Sequence, residues 1–148
     1  MTTTANPART AAKATRKPAI ARYATIVTRV LIGLLYTTTG LNGFLNFMPA
    51  PDPSTMAEAG VKFSTALYET GYMLELTSAT QLVAGILLII GRYVPLALAL
   101  LAPVVVNIFL FHVFLEPAGI VTAIIVVAAE IGLAWAYRDK FRPMLRAS

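Results

Sequence analysis

The chain has 148 residues, 57% of them hydrophobic and 13% charged, where a typical soluble domain carries about 25% charged residues. With a mean hydropathy of +0.72, a soluble fold would have to hide more apolar surface than a chain of this size can bury, so lipid is the expected solvent. The absence of cysteine excludes disulfides, thiolate metal sites, cysteine-ligated iron–sulfur clusters and any thiol relay through the chain itself.

The net charge of +5 is distributed unevenly. Residues 1–30 hold Arg9, Lys13, Arg16, Lys17, Arg22 and Arg29 with no acid, and residues 138–148 hold Arg138, Lys140, Arg142 and Arg146 against Asp139. Between them, Lys62 and Arg92 face Asp52, Glu58, Glu69, Glu75, Glu116 and Glu130. The basic surplus therefore belongs to the ends, which is a topology signal and not the footprint of a nucleic-acid partner.

Residues 1–22 are rich in Thr, Ala, Lys and Arg without apolar periodicity, and read as a disordered basic tail; a transit peptide has a similar composition. A transmembrane domain follows over 23–138, with spans at about 26–47, 71–91, 93–116 and 117–137, and residues 139–148 form a second basic tail. At about 1.5 Å per residue the first span covers roughly 33 Å, enough for a hydrocarbon core of about 30 Å. Gly91-Arg92 and Glu116-Pro117 are the only punctuation between the last three spans, which predicts tight hairpins and antiparallel neighbours. The expected fold is thus all-α: an integral membrane four-helix antiparallel bundle. An even number of spans puts both termini on one side, and the positive-inside rule makes that side the cytoplasm. In the loop between spans one and two, Thr55 and Glu58 have capping-box spacing. Met56, Ala59, Phe63, Ala66 and Leu67 then share a face, predicting a short interfacial helix; Gly60 weakens it by about 1 kcal/mol.

Polar residues inside a bilayer are costly and therefore informative. Counted from the outer ends of the spans, Glu75, Asn42 and His112 fall about 6 to 8 Å deep, Gln81 and Asn107 about 15 Å, and Glu130 about 20 Å. Asn42, Gln81, Asn107, His112 and Glu130 form the candidate polar pocket, with Arg29, Glu75 and Glu116 as candidate ion-pair or relay partners. Thr38, Asn42 and Asn46 recur every four residues, as do Thr77, Gln81 and Gly85, so each set makes one stripe. Two readings stand for the amides: hydrogen-bond glue between helices, or ligand contacts. Arg29 is either an anchor at the inner boundary or a partner for Glu130. Glu130, near the membrane centre, must carry a proton or be paired, so a structural role stands beside proton carriage or ligand binding. His112, the single histidine, can bind a quinone carbonyl, relay protons or close a local hydrogen bond; with Glu116 it offers too few ligands for a metal site. Pro103 withdraws the donor for the Ala99 carbonyl and predicts a kink. Ala128, Gly132 and Ala136 predict close packing of small residues, within the bundle or in a dimer.

Arg29 with Gly33, the segment Gly40-Leu41-Asn42-Gly43-Phe44, Gly71-Tyr72 and Gly85 through Gly91-Arg92-Tyr93-Val94-Pro95-Leu96-Ala97-Leu98 make a recognisable pattern. Pro103, Val106-Asn107-Ile108 and Phe111-His112 with Leu115-Glu116-Pro117 extend it. In these residues the chain resembles the DoxX family of small four-helix bacterial membrane proteins, a wider group that includes a subunit of thiosulfate:quinone oxidoreductase. Relatives commonly carry a glutamate on span two, for which Glu75 is the candidate. The resemblance implies a multi-pass protein of the bacterial cytoplasmic (inner) membrane, serving as an accessory or quinone-associated subunit of a redox or stress-response system, with a redox protein as partner. No tightly bound cofactor is expected, and quinone is the implied ligand. A small proton-coupled transporter built on Glu130 and a purely structural membrane protein are the alternatives. A complete redox enzyme acting alone ranks below them, since no haem, flavin or nicotinamide motif is present.

Overall fold

The computed structural model describes residues 19–141, and the basic segments 1–18 and 142–148 lie outside the described residues. Six α-helices follow in order: α1 (Ala19–Leu45), α2 (Glu58–Glu69), α3 (Met73–Ile90), α4 (Val94–Phe114), α5 (Ile120–Ala136) and α6 (Arg138–Phe141). Short 3-10 turns at Pro53–Thr55 and Pro117–Gly119 precede α2 and α5. Helices α1, α3, α4 and the segment Pro117–Ala136 are each long and apolar enough to cross a membrane. Their outward faces carry large exposed apolar side chains such as Leu31, Val106 and Ile125. A helix presenting such a face, with its backbone groups bonded within itself, suits hydrocarbon and not water. The chain is a multi-pass membrane protein.

Two readings of the ends change. Residues 19–22, assigned to the tail by composition, form the first turn of α1, and Arg138–Phe141 make the short α6. Ala and Arg are strong helix formers, so an apolar run beside them extends its helix into them.

Helices α1 and α3 pack most intimately, and glycine is the reason. Gly33 and Gly40 stand seven residues apart on one face of α1, as Ser78 and Gly85 do on α3, and the two helices run antiparallel. A Cβ added at Gly40 would lie 2.5 Å from the Leu82 nitrogen, and one at Gly85 would lie 2.6 Å from the Thr37 nitrogen. Backbone thus meets backbone, the arrangement that small residues permit between helices in lipid. By contrast, an added Cβ at Gly132 meets nothing within 4 Å, and Ala128 is exposed. The internal packing expected of the Ala128, Gly132 stripe is therefore corrected: the face of α5 that turns inward carries Ala123, Val126, Glu130 and Leu133 instead.

The bundle closes as a ring in which α1 meets α3 and α5, and α4 meets α3 and α5. Its apolar core, centred on Leu88, Val94, Leu98, Leu101 and Leu133, lies mainly in the half nearer the chain termini. At that end Gly91 adopts φ 76° and closes α3 with its N–H on the Leu87 carbonyl. A residue with a side chain would be strained there, and its Cβ would collide with the Arg29 guanidinium, which rests directly on Gly91. Arg29 therefore turns to the α3–α4 hairpin and the positive-charge-favouring end of α3, not toward Glu130.

The loop end is built around α2. The expected capping box is replaced: Thr55 belongs to the preceding 3-10 turn, whose start is capped by Asp52 through the Ser54 N–H and hydroxyl. These bonds hold the Asp52 carboxyl below the usual carboxylate range. Residue Ala57 occupies the N-cap of α2 and offers no side-chain cap. The Glu116 carboxylate supplies the acceptor instead, taking the Ala57 N–H at 2.6 Å. The inward face of α2 also shifts, because Gly60 is buried while Ala59 and Ala66 are exposed. A Cβ at Gly60 would stand 3.2 Å from Glu116 Oε2 and 3.4 Å from the Phe111 ring, so its bareness admits α4 and α2 to contact. Phe63 seals the joint against Phe111 with ring centroids 5.6 Å apart.

Candidate functional site in the bundle interior

The five residues singled out for a polar pocket are placed in five separate surroundings. Asn42 closes the end of α1, its Oδ1 accepting the Met48 N–H at 2.7 Å. Its neighbours on the stripe, Thr38 and Asn46, are exposed, so that stripe faces away from the interior. Gln81 accepts the Thr39 hydroxyl at 2.7 Å and ties α3 to α1. Asn107 is exposed on the outer face of α4.

His112 is held by its own turn. Its Nδ1 lies 2.8 Å from the Glu116 carbonyl; a carbonyl only accepts, so Nδ1 carries the proton. The ring fills the space that Gly119 leaves by lacking a side chain, and stands edge-on to Phe111 at 5.2 Å. This imidazole joins the end of α4 to the start of α5. Glu116, at the same corner, is committed to α2, and Glu75 is exposed in the first turn of α3, where its charge complements the helix dipole.

Glu130 alone enters the interior, 8% exposed, and its companion is Tyr36 of α1, 2% exposed. The two are within electrostatic reach of each other, yet neither the Tyr36 hydroxyl nor Glu130 Oε2 has a hydrogen-bond partner among the described residues. Buried polar atoms left unpaired cost about 1–3 kcal/mol each, so a site with two of them is poised for a ligand or water that supplies the missing bonds. Sequence reasoning missed Tyr36 because a tyrosine in an apolar span reads as an aromatic. The signal was its spacing: Gly33, Tyr36 and Gly40 recur at the three- and four-residue intervals of a single helix face, and that face packs inward.

On its other side Glu130 borders a groove of about 380 Å³ between α4 and α5. The remaining walls are apolar, among them Leu98, Ala102, Val106, Phe109 and Ile131. Ala99 also lines it, and Pro103 cannot donate to the Ala99 carbonyl. Val106 and Ile131 are exposed on the outer surface, so the groove communicates with the surrounding lipid. Its lining is apolar surface beside one carboxyl-bearing residue, Glu130.

A family model described as DoxX matches residues 24–114. The match takes in Arg29, Tyr36 and α4 but ends before α5, so Glu130 lies outside it. No curated protein and no solved structure matches the chain.

Proposed function

From the premise that the chain belongs to the DoxX family, we propose that it is an accessory subunit of a membrane redox or stress-response system, and that it takes a quinone-type ring from the bilayer into the α4–α5 groove. The observation that carries this reading is Glu130, whose Oε2 is buried and unpartnered, in the lining of an otherwise apolar groove. In its neutral form a carboxyl offers one O–H donor and a carbonyl acceptor. A quinone carbonyl needs one such donor, and a quinol hydroxyl needs one such acceptor. Phe109 and Ile131 supply apolar surface for a ring, and the open side admits an isoprenoid tail without removing it from lipid. The bound quinone would supply the two-electron carrier chemistry. The electrons for it would come from a redox protein partner. The proposed setting is the bacterial cytoplasmic membrane with both basic termini in the cytoplasm, as the positive-inside rule directs.

The test is quinone retention. Purified protein in lipid nanodiscs is washed and extracted, and quinone per chain is compared with protein-free discs. Enrichment by the native chain is expected, with a loss of about tenfold in Glu130→Leu, which removes both donor and acceptor, or in the groove-filling Ala102→Phe. Equal quinone in native, variant and empty discs would overturn the reading and favour a structural role.

A further inference from the structure

A second cleft opens at the terminal end, between the first turns of α1 and the junction of α5 with α6, with a volume of about 1180 Å³. Its α1 wall carries Arg22, Thr25, Ile26 and Arg29, and Tyr137 and Lys140 stand on the other wall. Arg22 and Arg29 are seven residues apart, two helical turns, so both project to one face of α1. Lys140, itself exposed, leans over the Tyr137 ring, its Nζ 5.4 Å from the centroid, which keeps the ammonium beside the cleft. The acid on the lining is Asp139. Three cations therefore line the cleft with one carboxylate.

Arg29 adds an independent sign. Its guanidinium rests on Gly91, yet Nε is buried and has no acceptor among the described residues. A charged donor without a partner favours an anion with several acceptor oxygens, and guanidinium groups suit phosphate in particular. Ile26 and Ala136 give the same cleft an apolar side, at the level where the spans end. The geometry points to a binding site for a phosphate group, carried by an anionic phospholipid whose headgroup sits among Arg22, Arg29 and Lys140 and whose chains follow the apolar outer face of the bundle.

This differs from general attraction of a basic end to a negative leaflet. A general field acts through all cations at that end, including Arg92 and Arg138, which are exposed and do not line the cleft. The experiment uses the full chain in nanodiscs of phosphatidylcholine doped with phosphatidylglycerol, followed by mild delipidation and native mass spectrometry. Retention of one phosphatidylglycerol per chain is expected. The double variant Arg22→Gln, Arg29→Gln should lower it by about tenfold or more, and Lys140→Gln, at the chain periphery where folding is not at stake, should lower it in the same direction. The charge-matched control Arg92→Gln, Arg138→Gln should leave it unchanged. Equal losses in both double variants, or no preference for phosphatidylglycerol over phosphatidylcholine, would overturn the site. A further arm measures protection of Lys140 from acetylation. Protection by phosphatidylglycerol in phosphate-free buffer supports the lipid as source, whereas protection by inorganic phosphate alone in pure phosphatidylcholine discs overturns the lipid assignment.

Discussion

The Glu116 carboxylate accepts the backbone N–H of Ala57 at 2.6 Å, across 59 residues of chain, and so caps a helix that has no capping side chain of its own. The helix dipole adds to this bond, since the acceptor is an anion at an N-terminus. Replacing Glu116 with Ala should cost the loop end about 1 kcal/mol, while Glu116→Gln, which keeps an acceptor, should cost less. Hydrogen exchange at the first amides of α2 reads the effect directly. Equal exchange in all three proteins would mean that α2 is held by Phe63 and Phe111 alone.

The glycines divide into two kinds. At Gly40 and Gly85 an added Cβ meets backbone of the facing helix, so Gly40→Val or Gly85→Val should destabilise the bundle by about 1–3 kcal/mol or more. At Gly132 there is open space, and Gly132→Ala should be neutral or stabilise α5 by about 0.5–1 kcal/mol. Thermal unfolding in one detergent ranks the three. A Gly132→Ala protein as damaged as the others would show that this face of α5 is covered in the native membrane.

Tyr36 and Glu130 are a test of purpose. If their unpaired atoms serve only the fold, filling the space with apolar groups should be harmful. The opposite is expected: Tyr36→Phe and Glu130→Leu remove buried, unpartnered polar atoms and should raise stability, Glu130→Leu by about 1–3 kcal/mol, while quinone retention falls. That split, more stable and less functional, is the mark of a site maintained against the preference of the core. Loss of both stability and retention in Glu130→Leu would assign the carboxyl to the framework.

The four spans, their hairpins and the helix in the loop were legible because hydropathy and punctuation are local properties. The residues around Glu116 were not, since the bond to Ala57 joins distant segments and neither carries a motif for the other. Gly60 reads locally as a flaw in α2, and becomes a contact surface once Phe111 is opposite it. Among the candidate site residues, facing could not be read from the sequence: Asn42 turns to a helix end and Asn107 to the outer surface. Glu130 was found because a central carboxylate is costly wherever it faces. Tyr36 was missed because its hydroxyl is invisible to hydropathy.

The absence of native cysteine makes orientation directly measurable. A single cysteine placed at Ser54 should react with an impermeant maleimide in intact cells, and one placed at Arg92 should react only after the membrane is opened. The reverse pattern would invert the proposed topology, and with it the side of the membrane that the phosphate cleft faces.

The central claim concerns the α4–α5 groove, and the most direct measurement of it is photolabelling with a short-tailed benzoquinone carrying a diazirine, in proteoliposomes, with peptides mapped by mass spectrometry. Label is expected to concentrate on the groove walls around Ala102, Phe109 and Ile131, displaced by excess unlabelled quinone and reduced by about tenfold in Glu130→Leu. Label spread evenly over the outer faces of α1, α3, α4 and α5, undiminished by competitor, would contradict it.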